Sequence, residues 1–286
     1  MISDESYAPI KGMAIYGRLP DVEIDLAFAA LDFSALVHPG LILDRYKIHL
    51  EKLVKDVGVR HAELIALGAC DCLDSRTAAL RDVLSVACGY AGDAQEGRDE
   101  IQSADIVSVI DNRMGAPVAL AILYLHAARG QGWEAYGLDI PGSFAVRMDL
   151  NGERVICDPA ADFRVMQAPD LRRMVKRALG PKAELSVSYY EPVSNRSVLV
   201  RLQNIIKTRQ IEAEDYEGAL QSVMAMRAVD PEEYRLLLDQ GILCARLNAT
   251  KEAVVALEQY IERAPASRNQ DRHEAAMLLQ QLKSLI

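Results

Sequence analysis

The chain lacks the features that would take it to a polyanion or into a membrane. Its 286 residues carry 32 Lys and Arg against 41 Asp and Glu, a formal net charge of −9, which disfavours nonspecific attraction to nucleic acid or anionic lipid. The longest uncharged apolar run, Ala116 to Leu125, falls far short of the roughly 18 residues that a spanning helix needs. The opening MISDESYAPIKG has no basic stretch followed by an apolar one, the pattern of an export signal. The expectation is a soluble, cytoplasmic protein. Cysteines are few and odd in number: Cys70, Cys72, Cys88, Cys157 and Cys244 are scattered, which suits reduced thiols and not a disulfide framework. Cys70-Asp71-Cys72 has no second Cys or His pair at ligand spacing, so no zinc site is expected. The patterns HExxH, GxxxxGK(S/T) and GxSxG are all missing, and no cofactor or metal is expected.

What the chain does have is apolar residue in abundance, half of the total, enough for a real core. Residues 1–20, interrupted by Pro9, Gly12, Gly17 and Pro20, read as a loosely held N-terminal arm. From Asp21, a potential cap, the apolar spacing turns helical through Leu26, Phe33 and Val37 until His38-Pro39-Gly40. A second helix is expected from about Leu41 to Val57, ended by Gly58, then a short one over Arg60 to Leu67. Another starts at Asp74-Ser75, and Ile101 to Asn112 reads as a single helix.

The densest signals lie between Arg113 and Pro159. Gly115 and Pro117 open an apolar run that stops near Gly130 and Gly132, the punctuation of a buried helix. Three short runs follow, Ala135 to Ile140, Phe144 to Met148 and Arg154 to Cys157. They are separated by Pro141-Gly142 and Asn151-Gly152, dipeptides that make tight turns, so an antiparallel meander is expected. Pro169-Asp170 begins an amphipathic helix ended by Gly180-Pro181, and Glu184 to Pro192 reads as a last strand. The fold class is α+β up to about Pro192 and all-α from Asn195 onward.

The C-terminal part repeats. Ala219 and Ala253, Leu220 and Val254, Val223 and Leu257, Met226 and Tyr260, and Asp230-Pro231 and Ala264-Pro265 are each 34 residues apart. That period, with alanine in one helix and proline after it, is the tetratricopeptide pattern. About two repeats and a terminal helix, Asp271 to Leu285, are expected. The expected organisation is an arm over 1–20, an α+β domain over 21–192, and repeats over 193–286.

The run GAPVALAILYLHAARGQG, followed by PGSF, by CDP and by the repeats, resembles the SirB-type family of the transglutaminase-like superfamily. The resemblance implies a papain-related core of one central helix on a small antiparallel sheet. In catalytic members a cysteine opens that helix, a histidine lies on the next strand and an aspartate on the one after. A helix N-terminus lowers the thiol pKa, the imidazole takes its proton, and the carboxylate orients the imidazole. In this sequence those positions are Pro117, Ser143 and Asp158, so only the aspartate persists. Serine cannot act as a general base near neutral pH. The resemblance therefore implies a noncatalytic scaffold or adaptor that binds a protein partner through its repeats or through the vestigial cleft, with Arg113 and Phe144 at the cleft rim. Arg113 could equally pair with Asp111 or Asp158. Two rival readings stand beside it. One is a hydrolase or acyl transferase using Ser143 or Cys157 with Asp158; the other is a sensor whose cleft takes a small ligand or a peptide terminus. None of the three readings involves nucleic acid or a membrane.

Overall fold

The computed structural model describes residues 8–93 and 100–284, and they form two compact units. Helix α1 (Ala8–Met13) belongs with the C-terminal unit. The α+β unit spans Pro20–Leu202. It opens with a 3-10 turn and α2 (Leu26–Val37), whose N-cap is Asp25: its carboxylate accepts the Ala27 and Phe28 N–H groups at 2.9 and 3.1 Å. Asp21, a cap candidate by sequence, does its capping at a helix far along the chain.

Helix α3 (Asp44–Ala66) is continuous where two helices were expected. Gly58 does not end it. A Cβ there would lie 2.6 Å from Gln131 Oε1, so the glycine makes room for a side chain that donates to the Val54 carbonyl at 2.6 Å. Helix α4 (Leu73–Leu80) continues as a π-helical segment to Ala87. The expected helix from Ile101 is broken into α5 (Glu100–Ala104) and α6 (Ile106–Asn112). Between them Asp105, 1 % exposed, caps α6 by accepting the Ser108 N–H at 2.9 Å. A two-residue parallel pair, β1 (Ala91–Gly92) with β2 (Met114–Gly115), precedes α7 (Pro117–Arg129). Proline at the first position gives up an N–H that the helix leaves unpaired anyway. The residues from Val118 to Leu125 are all buried, as the unbroken apolar run requires.

The meander forms as expected: β3 (Glu134–Ile140), β4 (Ser143–Leu150) and β5 (Glu153–Asp158) pair antiparallel, and a short β6 (Arg164–Val165) extends the sheet. Side chains alternate across a strand, so the ladder sorts them into two sets. Leu138, Ile140, Ala145 and Ile156 pack with Leu171 and Val175 of α8 (Ala168–Leu179). Phe144, Val146, Met148 and Cys157 belong to the other face, where α7 lies against β3 and β4. The strand expected over Glu184 to Pro192 is absent; Val187–Tyr190 is a 3-10 turn. Helix α9 (Asn195–Glu212) contains the division between the two units, which falls after Leu202 and not near Pro192. Its first N–H groups, those of Asn195 and Arg196, donate to the Asp21 carboxylate at 2.8 and 3.0 Å. An acceptor 174 residues away thus caps this helix. Asp21→Ala is expected to cost about 1 kcal/mol, the usual value of an N-cap, seen as a lower denaturation midpoint.

In the other unit, α10 (Tyr216–Val229), α11 (Arg235–Arg246), α12 (Thr250–Arg263) and α13 (Asn269–Lys283) make two helical hairpins. Their first helices start at 216 and 250 and their second at 235 and 269, so both pairs are offset by 34. The terminal helix is therefore the second half of the second repeat and not an addition to it. Ala219 and Ala253 are fully buried, and a Cβ on Gly241 would come within 2.7 Å of Leu257; small residues set how closely these helices approach. The N-terminal arm is held more firmly than expected. Helix α1 packs on α10, Ile10 and Met13 are 7 % and 1 % exposed, and a Cβ on Gly17 would lie 2.4 Å from the Ala228 carbonyl oxygen.

Candidate functional site

The entry to α7 and the exit of β5 come together through backbone. Arg113 ends α6 in the left-handed region, φ 62°, turning the chain into β2. Its carbonyl accepts the Ala91 N–H at 3.0 Å, and the Gly115 carbonyl accepts the Asp93 N–H at 3.2 Å. One residue between, the Gly92 N–H donates to the Ala160 carbonyl at 3.1 Å. The segment just beyond Asp158 is therefore bound to β1, which is bound to the strand that leads into Pro117. No side chain fits in that junction: a Cβ on Gly92 would lie 2.7 Å from both Cβ and O of Ala160. The same segment is clamped from α7, where Tyr124 stacks on Phe163 with ring centroids 4.0 Å apart and planes 6° from parallel.

Pro117 occupies the first turn of α7 and has neither a nucleophile nor an N–H. Ser143 opens β4 directly opposite Ile140, across the Pro141-Gly142 turn, and Gly142 has φ +77°. Asp158 closes β5, 7 % exposed, with Oδ1 accepting the Ala160 N–H at 3.0 Å. Ladder register puts Ser143 and Asp158 on the face that α8 covers, together with Ala145 and Ile156. Pro117 belongs to the helix on the opposite face. The five histidines of the chain, His38, His49, His61, His126 and His273, all lie outside β3–β6, so Asp158 has no imidazole on the sheet to orient.

Cys157 is fully buried and faces away from Asp158, and burial pushes its thiol up to about 12. At neutral pH it is a packed thiol without thiolate character. Two further expectations are corrected by packing. Phe144 is 2 % exposed and lies over Gly137, whose Cβ would be 2.8 Å from the ring; it is a core residue, not a rim. Arg113 turns away from both carboxylates. Its guanidinium donates to the Tyr90 hydroxyl and to His49 Nε2 at 3.0 Å, and lies 4.8 Å from the Tyr90 ring centre. Asp111 is taken instead by Arg45 at 3.0 Å and by the Tyr46 hydroxyl at 2.8 Å.

The His49–Tyr90–Arg113 cluster is the part of this region that sequence did not signal, because its members come from three separate segments. Accepting from a guanidinium requires an unprotonated Nε2, and burial, followed by the Arg113 charge, lowers the His49 pKa below its ordinary value. The unfolded chain then takes up the proton first. This contribution to stability is complete above about pH 6.5, the unperturbed histidine value, and is lost as the pH falls below it. The denaturation midpoint of the wild type is expected to decline on acidification through that window, and His49→Gln to flatten the decline.

Among the described residues, two cavities of about 520 Å³ lie elsewhere in the unit. One is lined by His38, Arg45, Ser108 and Asp111, the other by Arg129, Trp133, Tyr136 and Asn195; neither includes Pro117, Ser143 or Asp158. Among the described residues no group of three His, Cys, Asp or Glu side chains could hold a metal ion, and no helix is long and apolar enough to cross a membrane.

Comparison with known proteins agrees with this architecture. A family model described as the transglutaminase-like superfamily matches residues 44–204, and one described as tetratricopeptide repeat matches residues 206–282. A UPF0162 protein of Xylella fastidiosa is 25 % identical over 199 residues, 68 % of this chain and 70 % of that protein. One from Vibrio cholerae is 24 % identical over 242 residues, 85 % and 87 % of the two chains. One from Pseudomonas aeruginosa is 28 % identical over 130 residues, 46 % and 47 % of the two chains. No solved structure matches. With a central helix on an antiparallel meander, a matching model over more than half its length and helical repeats behind it, the chain belongs to the transglutaminase-like superfamily, in its SirB-type family.

Proposed function

We propose that this protein is a noncatalytic transglutaminase-like scaffold of the cytoplasm that binds a protein partner through its tetratricopeptide repeats. The observation that carries this reading is the identity and placement of the three key positions. Pro117 offers no nucleophile, Ser143 no base, and Asp158 spends Oδ1 on the Ala160 N–H. Cys157, next to Asp158 in the chain, is buried on the other face. The junction that would house chemistry is filled by backbone contacts and by the Tyr124–Phe163 stack.

The repeats carry the complementary observation. Ile242, Val255 and Met277 are 41 %, 53 % and 52 % exposed, apolar side chains presented on α11, α12 and α13 of a repeat architecture whose usual role is to dock other chains. The test is crosslinking capture from cell extract by the full-length chain and by a variant carrying Ile242→Asp, Val255→Asp and Met277→Asp. Loss of specific partners from the variant is expected. An unchanged set of partners would remove the repeats as the binding surface.

A further inference from the structure

The start of α4 carries two thiols that the scaffold reading does not use. Cys70 is exposed and Cys72 half-buried, and their Sγ atoms are 2.9 Å apart. Cys72 is the N-cap residue of α4: its Sγ accepts from the Ser75 N–H, and its own N–H donates to Ser75 Oγ at 3.2 Å. Asp71, between the two cysteines, is gripped by Arg76 through Nε at 2.7 Å and Nη2 at 2.9 Å, which fixes the loop that presents both thiols. An accessible sulfur at a helix N-terminus beside a guanidinium is the environment that favours thiolate.

The two sulfurs are also unequal. Hydrogen bonding from Cys70, then from the Ser75 N–H, holds the Cys72 thiol below its ordinary value, while the Cys70 thiol is held above it as the donor in that contact. Cys88, Cys157 and Cys244 are all pushed up by burial. The pair therefore has an attacking sulfur and a resolving one.

We propose that Cys70 and Cys72 form a redox-active dithiol that exchanges with low-molecular-weight disulfides such as oxidised glutathione. The Cys72 thiolate attacks one sulfur of the disulfide, forming a mixed disulfide and expelling one glutathione thiolate, which takes up a proton. Cys70 then loses its proton and attacks Cys72 Sγ. The Cys70–Cys72 bond forms, the mixed disulfide breaks, and the second glutathione leaves. The protein dithiol is oxidised by two electrons and one glutathione disulfide is reduced to two thiols. Exposed disulfides of this kind are the labile ones. Oxidation also draws into a disulfide the Cys72 sulfur that caps α4, and Arg76, which grips Asp71, lies 5.3 Å from the ring centre of Trp133, the only tryptophan in the chain. Tryptophan emission therefore reports the switch.

The test uses the reduced full-length chain, equilibrated with mixtures of reduced and oxidised glutathione, quenched in acid, alkylated after unfolding and mapped by peptide mass. The peptide holding Cys70 and Cys72 is expected to lose two hydrogens and resist alkylation while Cys88, Cys157 and Cys244 remain alkylated. Trp133 emission is expected to change on oxidation and return with dithiothreitol. In Cys70→Ser, glutathione is expected to remain on Cys72 as a trapped mixed disulfide. In Cys72→Ser, the adduct on Cys70 is expected to form more slowly than that on Cys72 in Cys70→Ser, because Cys70 lies outside the helix start and does not accept from the Ser75 N–H. Absence of the internal disulfide under excess oxidised glutathione would overturn the proposal, and so would an adduct on Cys88 forming as fast as that on Cys72.

Discussion

Phe163→Ala is expected to lower the stability of the α+β unit by about 3–5 kcal/mol, the range for emptying a buried aromatic position. Phe163 is 2 % exposed and stacked on Tyr124, which is fully buried on the central helix. Removing the ring leaves a cavity between that helix and the segment that follows Asp158, and neither wall can collapse easily, because each is tied by backbone hydrogen bonds. Phe163 also has φ +50°, a conformation that costs an L-residue about 1–2 kcal/mol and glycine almost nothing. Phe163→Gly is therefore expected to be no less stable than Phe163→Ala, the reverse of the usual order. Denaturant unfolding followed by Trp133 fluorescence measures both. A loss below about 1 kcal/mol for the alanine variant would show that the stack does not hold this segment.

Gly92→Ala is the second large effect. One added carbon would lie 2.7 Å from both the Ala160 Cβ and the Ala160 carbonyl oxygen. That oxygen cannot retreat without losing the hydrogen bond from the Gly92 N–H itself. A forced overpacking of this kind costs about 1–3 kcal/mol, and the strain falls on the contact that joins the exit of β5 to the entry of α7. Adding Ala160→Gly removes the Cβ contact and keeps the carbonyl one, so the double variant is expected to recover part of the loss and not all of it. Full recovery would place the strain on the side chain alone; no recovery would place it on the backbone.

Much of the architecture was legible because local chemistry and tertiary structure agree. Pro141-Gly142 and Asn151-Gly152 sit in the two hairpin turns, Pro117 starts the central helix, and the 34-residue spacing of Ala219 and Ala253 places the repeats. The misreadings share a physical cause: a local signal served a distant partner. Gly58 reads as a helix stop but makes space for Gln131, and Asp21 reads as the cap of the helix after it but caps α9. Arg113 reads as a rim charge, yet its partners are His49 and Tyr90, neither of them near it in sequence. Strand alternation alone put Cys157 opposite Asp158. The same alternation separates Phe144 from Ser143 and is by itself enough to take Phe144 off a rim that Ser143 shares.

The noncatalytic reading is tested most directly by mapping, on the native full-length chain, the residues modified by a serine-reactive fluorophosphonate and by iodoacetamide. Ser143 has no imidazole on its sheet and the Cys157 thiol is pushed up to about 12 by burial, so both are expected to stay unmodified until the protein is unfolded. Stoichiometric labelling of Ser143 or Cys157 in the folded chain, abolished by Ser143→Ala or Cys157→Ala, would contradict the account by showing an activated nucleophile at a position expected to be inert.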